Sequence, residues 1–108
     1  MDLELIKSRV RLGKYQFSGH AEKERENEDI TVADVKTAIL NGEILEDYPD
    51  DPRGASCLML GTAFDGRPLH VVLTILPIDV VLFITVYIPT RPKWIDPRTR
   101  RPRQGETR

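Results

Sequence analysis

The chain has 108 residues, which suits a single domain, and its one cysteine excludes an intrachain disulfide. Apolar residues account for 40% and charged residues for 31%, an ordinary composition for a soluble protein. The last 18 residues hold seven Lys or Arg against two Asp or Glu, so residues 91–108 carry +5 and residues 1–90 carry −6 of the net charge of −1. A basic end on an acidic body indicates either a polyanionic partner or a solvated tail.

Three helices are predicted in the N-terminal half, after a mixed-charge start that predicts no signal peptide. Apolar residues at helical spacing predict the first helix over residues 2–11. The second, over residues 18–28, has Ala21 as its one apolar residue, so an apolar stripe cannot be what holds it to the protein. A third helix begins at Thr31 in a capping-box pattern and ends at an Asn-Gly pair.

Strands are predicted from residue 43 onward, where the apolar period changes to two. The apolar stretch over residues 69–88 is long enough to span a membrane, but Pro77 and Asp79 at its centre favour two strands and a turn. The sequence therefore predicts an α+β domain, with N-terminal helices packed on one face of a twisted antiparallel sheet of about four strands. Residues 1–95 form the domain in this prediction, and residues 96–108 form a basic, flexible tail.

Strand parity predicts a polar cluster on the sheet. A loop of even length at residues 77–80 places His70 opposite Tyr87 and brings Thr85 to the same face, whereas an odd loop separates them. A two-residue turn at Asp65-Gly66 places His70 opposite Gly61 as well. The other face of the last strand is expected to pack on the helices, and it carries Leu82, Ile84, Val86 and Ile88.

The two histidines of the chain are the candidate proton-transfer groups. His20 lies in the first turn of the second helix, and Glu24 follows four residues later on the same face. Each histidine also has a structural interpretation, His20 on a solvated helix end and His70 in a hydrogen-bonded pair with Tyr87. Neither has a second ligand at metal-binding spacing, so no metal site is predicted.

Four segments together resemble a bacterial family of unknown function grouped with the RelE- and barnase-like toxin nucleases. These segments are "FSGHAEKERE", "ITVADVKTAILNGEILEDYPDDPRGASCLMLG", "GRPLHVV" and "ITVYIPTRPKW". The resemblance covers residues 15–95 and implies a cytoplasmic, metal-independent RNA endonuclease that is the toxin of a toxin–antitoxin pair. It implies no cofactor, because the 2′-hydroxyl of the substrate is the nucleophile. The implied partners are RNA and a small antitoxin protein of the zinc-finger or helix-turn-helix type. The resemblance implies no membrane partner, and a homodimer is one possible oligomeric state.

The resemblance and the strand parity together assign roles to particular residues. His20 and His70 are the acid and the base, Tyr87 is a donor or second acid, Arg25 supplies positive charge, and Thr85 supplies a hydrogen bond. Substrate binding is assigned to four residues: Arg67, Lys93, Trp94 and Arg98.

One departure from the family pattern supports another interpretation. Many relatives carry arginine where this chain has Glu24 and Glu28, and carboxylates are unfavourable beside a polyanion. The alternative is a catalytically inert protein-binding module, a degenerate toxin whose acidic helix meets a basic partner. A non-nuclease enzyme that uses the same histidines is a third interpretation.

Overall fold

A computed structural model describes residues 1–90 and 93–101 of the chain. Among these residues the helices are α1 (Leu3–Arg11), α2 (Gly19–Asn27) and α3 (Val32–Asn41). None of them is long and apolar enough to cross a membrane. The strands are β1 (Tyr15–Phe17), β2 (Glu43–Tyr48), β3 (Ser56–Thr62), β4 (Pro68–Ile75), β5 (Val81–Tyr87), β6 (Trp94–Asp96) and β7 (Thr99–Arg100).

The predicted helix starts are confirmed. Ser18 begins α2, and its hydroxyl accepts a hydrogen bond from the amide of Ala21. Thr31 and Asp34 form both bonds of the capping box at the start of α3. Gly42 ends α3, but its φ of −89° is extended, so the left-handed cap that the Asn-Gly pair suggested does not form.

The α+β class is confirmed, but the sheet differs from the antiparallel sheet of about four strands that was predicted. It has five strands in the order β1-β5-β4-β3-β2, and β1 runs parallel to β5. The sheet is therefore mixed. A segment of three residues is too short for apolar periodicity to show that it pairs, which explains why β1 is not among the predicted strands.

The core lies between the helices and one face of the sheet. Ile6 and Val10 of α1 and Val35 and Ile39 of α3 are buried there with alternate residues of β3, β4 and β5. The opposite face, which we call the open face, carries the β6–β7 hairpin, whose Trp94 is 1% exposed. This hairpin spans the predicted boundary at residue 95, and residues 102–108 of the predicted tail lie outside the described residues.

The turn between β3 and β4 has three residues rather than the predicted two. The amide of Ala63 donates to the carbonyl of Arg67, and Gly66 supplies a positive φ of 93°. The odd turn shifts the register by one residue, so His70 lies opposite Leu60 and not opposite Gly61. The predicted pairing of His70 with Gly61 is therefore wrong.

The turn between β4 and β5 also has an odd length, since Leu76 and Val80 close a three-residue loop. A β-bulge where Ile84 is the extra residue restores the register, so His70 does lie opposite Tyr87. The bulge also changes which residues face the helices. Val86 and Ile88 pack on the core as predicted, but the positions of Leu82 and Ile84 in the core are taken by Val81 and Phe83.

Helix α2 is held by polar contacts with the edge of β5. Glu24 Oε1 accepts from the backbone amide of Val86 at 2.9 Å, and Glu28 Oε2 accepts from that of Ile88 at 2.8 Å. The Ser18 hydroxyl donates to the carbonyl of Ile84 at 2.8 Å. The two carboxylates therefore occupy the hydrogen-bonding edge that β1 is too short to cover, which is why a helix with one apolar residue stays docked.

We predict that Gly61→Ala lowers the free energy of unfolding by about 3 kcal/mol, at the upper end of the usual cost of overpacking. A Cβ atom at Gly61 would lie 1.8 Å from the backbone carbonyl oxygen of Ala38, because α3 lies directly on β3. Urea unfolding measures the change. Gly19→Ala is the control, since nothing lies within 4 Å of its added Cβ; equal stability of the two variants would contradict the prediction.

We also predict that Glu28→Ala costs about 1–3 kcal/mol of stability, because it removes the charged acceptor of the Ile88 amide. Glu26→Ala is the matched control on the same helix, since Glu26 is exposed. Thermal or urea unfolding compares the two. A loss in Glu26→Ala as large as in Glu28→Ala would show that removal of any carboxylate from this segment, and not loss of the edge contact, is responsible.

Candidate functional site

The open face buries one histidine beneath the β6–β7 hairpin. His70 is 0% exposed, and both of its ring nitrogens have partners within the protein. Nδ1 lies 3.0 Å from the Tyr87 hydroxyl, and Nε2 lies 2.6 Å from the carbonyl oxygen of Pro97 in the hairpin turn. The Trp94 ring packs edge-on against the imidazole with a centroid distance of 4.3 Å.

The partners of His70 determine where its proton lies. A carbonyl oxygen can only accept, so Nε2 carries the proton and donates it to Pro97. Nδ1 is then the acceptor for the Tyr87 hydroxyl. Burial lowers the pKa of His70, opposed in part by the Pro97 hydrogen bond, and burial raises the pKa of Tyr87. Both groups are therefore neutral near pH 7. We call the hydrogen-bonded series formed by the Pro97 carbonyl, His70 and Tyr87 the relay.

Two ion pairs tie the hairpin to the outermost strand of the sheet. Arg98 pairs with Glu43, and Arg100 pairs with Glu46 at 2.8 Å. The Arg100 guanidinium also lies over the Trp94 ring, 4.6 Å from its centroid. Trp94 Nε1 has no hydrogen-bond partner within the part of the chain that the structure describes. Burial raises the pKa of Tyr87 by more than the nearby indole lowers it.

The relay has the arrangement of a base held by a third group. The half-buried Tyr87 hydroxyl is its outer end, and the neutral imidazole behind it has a lone pair that can take the phenolic proton. The Pro97 carbonyl fixes the tautomer and the orientation of the ring. Of the two side chains of the relay, that of Tyr87 is partly exposed and that of His70 is fully buried.

The structure brings several predicted residues to the open face. Thr85 lies two residues before Tyr87 on β5, on the same face of the sheet and opposite Val72. Arg98 is exposed at the hairpin turn, and Lys93 is exposed just before β6. Trp94 is also present, but His70 and Arg100 occupy its ring, so the indole does not offer a free face to a base.

Three other predicted residues are not part of this group. His20 is 66% exposed on α2, where its Nε2 lies 3.3 Å from Glu24 Oε1, and it does not contact His70. Arg25 is held by Glu22 and lies over the Phe17 ring.

Arg67 acts as a clamp between the β3–β4 turn and the helices. It contacts the carboxylates of Asp65 and Asp34 and donates to the carbonyl of Glu28. Its guanidinium is thereby committed to structural contacts.

Sequence reasoning missed the residues that anchor the hairpin. Glu43 and Glu46 lie on the same face of β2 because a bulge lies between them. Arg98 and Arg100, their partners, lie in the tail. The two carboxylates are three residues apart and the two arginines are two residues apart, so the opposite charges, and not their spacing, are the signal that could have linked the two segments. The Pro97 carbonyl is a backbone group, so no side-chain pattern indicates it.

The described residues offer neither a metal site nor a reactive thiol. Within residues 1–90 and 93–101, no group of three or more His, Cys, Asp or Glu side chains is placed to hold a metal ion. Cys57 is buried, and burial raises its pKa to about 12, so it is a neutral thiol in the core. The relay is therefore the candidate site among the described residues.

We predict that His70 makes folding stability depend on pH. Its folded pKa lies below the ordinary value of 6.5, so the unfolded chain binds the extra proton first as the pH falls. The contribution of His70 is present above pH 6.5 and is lost as the pH falls toward the folded pKa. Urea unfolding at several pH values should show this decline in the wild type but not in His70→Gln, and parallel curves would contradict it.

Comparison with known proteins identifies the family but no characterised relative. No curated protein and no solved structure matches the chain significantly. Residues 17–88, which contain α2, α3 and the strands β2 to β5, match the family described as Domain of unknown function (DUF4258). That match covers two thirds of the chain and includes His20, His70 and Tyr87, so the protein belongs to the DUF4258 family.

Proposed function

We propose that the protein is a metal-independent RNA endonuclease of the RelE/barnase-like kind and the toxin of a cytoplasmic toxin–antitoxin pair. The observation that supports this is the relay, a neutral imidazole fixed behind a hydroxyl that faces the open side of the sheet. Cleavage of RNA by its own 2′-hydroxyl needs a base, an acid and a group that stabilises charge on phosphorus. The described residues offer candidates for each.

The relay supplies the base. The oxygen of Tyr87 takes the proton from the 2′-hydroxyl while the phenolic proton moves to Nδ1 of His70, which becomes an imidazolium. The 2′-oxygen attacks phosphorus, and the bond from phosphorus to the 5′-oxygen breaks. The Pro97 carbonyl stabilises the imidazolium by accepting from Nε2. His70 thus takes part without touching the RNA, in agreement with its complete burial.

The departing 5′-oxygen needs a proton, and His20 stays the predicted acid although it lies on α2, outside the group on the open face. Its imidazole is exposed, and Glu24 holds it beside β5, the strand that carries Tyr87. Arg98, whose side chain is 62% exposed and pairs with Glu43, stays a predicted substrate contact. Lys93 adds a second exposed cation near the hairpin.

A second function, a binding module without catalysis, is favoured by the charge pairing. The arginines at or near the predicted site are each paired with a carboxylate: Arg25, Arg67, Arg98 and Arg100. Helix α2 also presents Glu26 to solvent, and a basic partner would complement this helix. In this alternative the relay only fixes the hairpin to the sheet.

We predict that purified wild-type protein cleaves RNA in the presence of EDTA and that Tyr87→Phe lowers the cleavage rate by about 10²–10⁴-fold, the usual contribution of general acid–base catalysis. Phenylalanine keeps the ring in place but removes the hydroxyl that joins the substrate to His70. Gel analysis of a defined RNA measures the rate. Induction in cells should slow growth for the wild type and not for Tyr87→Phe.

Tyr15→Phe is the matched control, because Tyr15 lies on β1 and packs against Phe17 and Phe83 on the core side. It is expected to cleave at the wild-type rate. Intact RNA and full growth with the wild type would support the binding module instead. Loss of cleavage in His20→Ala but not in Tyr87→Phe would move the base away from the relay and overturn the mechanism.

A further inference from the structure

A cavity of about 270 Å³ lies between the end of α3 and the turn of the β6–β7 hairpin. Its apolar lining comes from Leu60, Pro68 and Pro97. Its polar lining includes Glu43, Thr62 and Arg98, which are exposed, so the cavity opens to solvent on that side. Its volume lies slightly below the usual range for small-molecule pockets, which begins at about 300 Å³.

The cavity adjoins the relay. Leu60, which lines it, is the cross-strand partner of His70. Pro97 lines it as well, and the carbonyl of the same residue accepts from His70 Nε2. A ligand in the cavity would therefore lie against the hairpin at the Pro97 end of the relay, on the side of His70 away from Tyr87.

The polar groups of the cavity are of two kinds. Asn41 is already satisfied, since its side-chain amide donates to the carbonyl and accepts from the amide of Thr62. Glu43 and Arg98 lie at the mouth, paired with each other and both partly exposed. The pair places a hydrogen-bond acceptor, the Glu43 carboxylate, next to a donor, the Arg98 guanidinium. Because the two charges cancel, the mouth does not favour an isolated anion. It suits a neutral ligand that carries the complementary donor and acceptor.

We propose that this cavity binds one unstacked nucleobase of an RNA strand that continues across the face of the sheet toward Tyr87, the reactive end of the relay. Bases are planar, largely apolar on their faces, and carry donors next to acceptors along their edges. The apolar walls contact the faces of the base, while Glu43 and Arg98 contact its edge. This inference rests on the proposed RNA endonuclease, whose sequence preference the cavity would set.

Titration of ¹⁵N-labelled protein with the four nucleoside 5′-monophosphates tests the site. At least one of them should shift the amide signals of Gly61, Thr62 and Arg98, and ribose 5-phosphate, which has no base, should not. A single-stranded 2′-deoxyhexanucleotide, which cannot be cleaved by 2′-hydroxyl attack, should shift the same signals at lower concentration. Tighter binding of the mononucleotide than of the oligonucleotide would contradict an RNA strand as the ligand.

Glu43→Gln should weaken nucleotide binding by about tenfold or more, the value of one hydrogen bond to a charged group. Glu46→Gln is the matched control, since Glu46 makes the same kind of ion pair with the hairpin but does not line the cavity. Its affinity should stay within about twofold of wild type, below the effect of one net hydrogen bond. Equal losses in both variants would show that a loosened hairpin is responsible and would overturn the assignment.

The binding and cleavage experiments can fail independently. Nucleotide shifts at the cavity without any RNA cleavage would retain the base site and reject the endonuclease. Cleavage without shifts at the cavity, or equal shifts with ribose 5-phosphate, would reject the base site and retain the endonuclease.

Discussion

The hydrogen bond from His70 to the Pro97 carbonyl joins the sheet to the hairpin that covers it. The imidazole is fully buried, and a buried polar group without a partner costs about 1–3 kcal/mol. The ring and the hairpin therefore hold each other in place, and Trp94 closes over them. The orientation of Tyr87 and one wall of the cavity both depend on this contact. Neither would persist in its present form if the hairpin left the sheet.

Local chemistry made part of the fold predictable. Helix starts at Ser18 and Thr31 depend on side chains within three residues, and the sequence shows them directly. Register depends on turn length and bulges, which involve conformations that several sequences can adopt. The pairing of His70 with Tyr87 was predicted from an even loop, yet it forms because a bulge at Ile84 offsets an odd one. The odd loop and the bulge cancel for His70 and Tyr87, whereas no bulge between β3 and β4 offsets the odd turn, so His70 does not pair with Gly61.

The candidate site was predictable only where one strand faces another. His70, Thr85 and Tyr87 are related by strand alternation, so parity brought them together on one face. The hairpin residues reach this face from a segment rich in proline and arginine, where no apolar period indicates a strand. Charge alone is a weaker guide, because ion pairs that stabilise the fold use the same residues as phosphate sites. Arg25 and Arg67 illustrate this, since carboxylates and backbone carbonyls occupy their guanidinium groups.

The parallel edge strand has a consequence for the order in which the chain folds. Ser18 follows β1 and bonds Ile84, 66 residues further along the chain, whereas the hairpins from β3 to β5 join near neighbours in sequence. Long closures have a greater entropic cost, so we expect β1 and α2 to join a sheet that is already formed. We also expect the amides of this margin to exchange with solvent sooner than those of β4 at the centre of the sheet. The helix that carries His20 is thus attached to an edge of the sheet whose closure spans most of the chain.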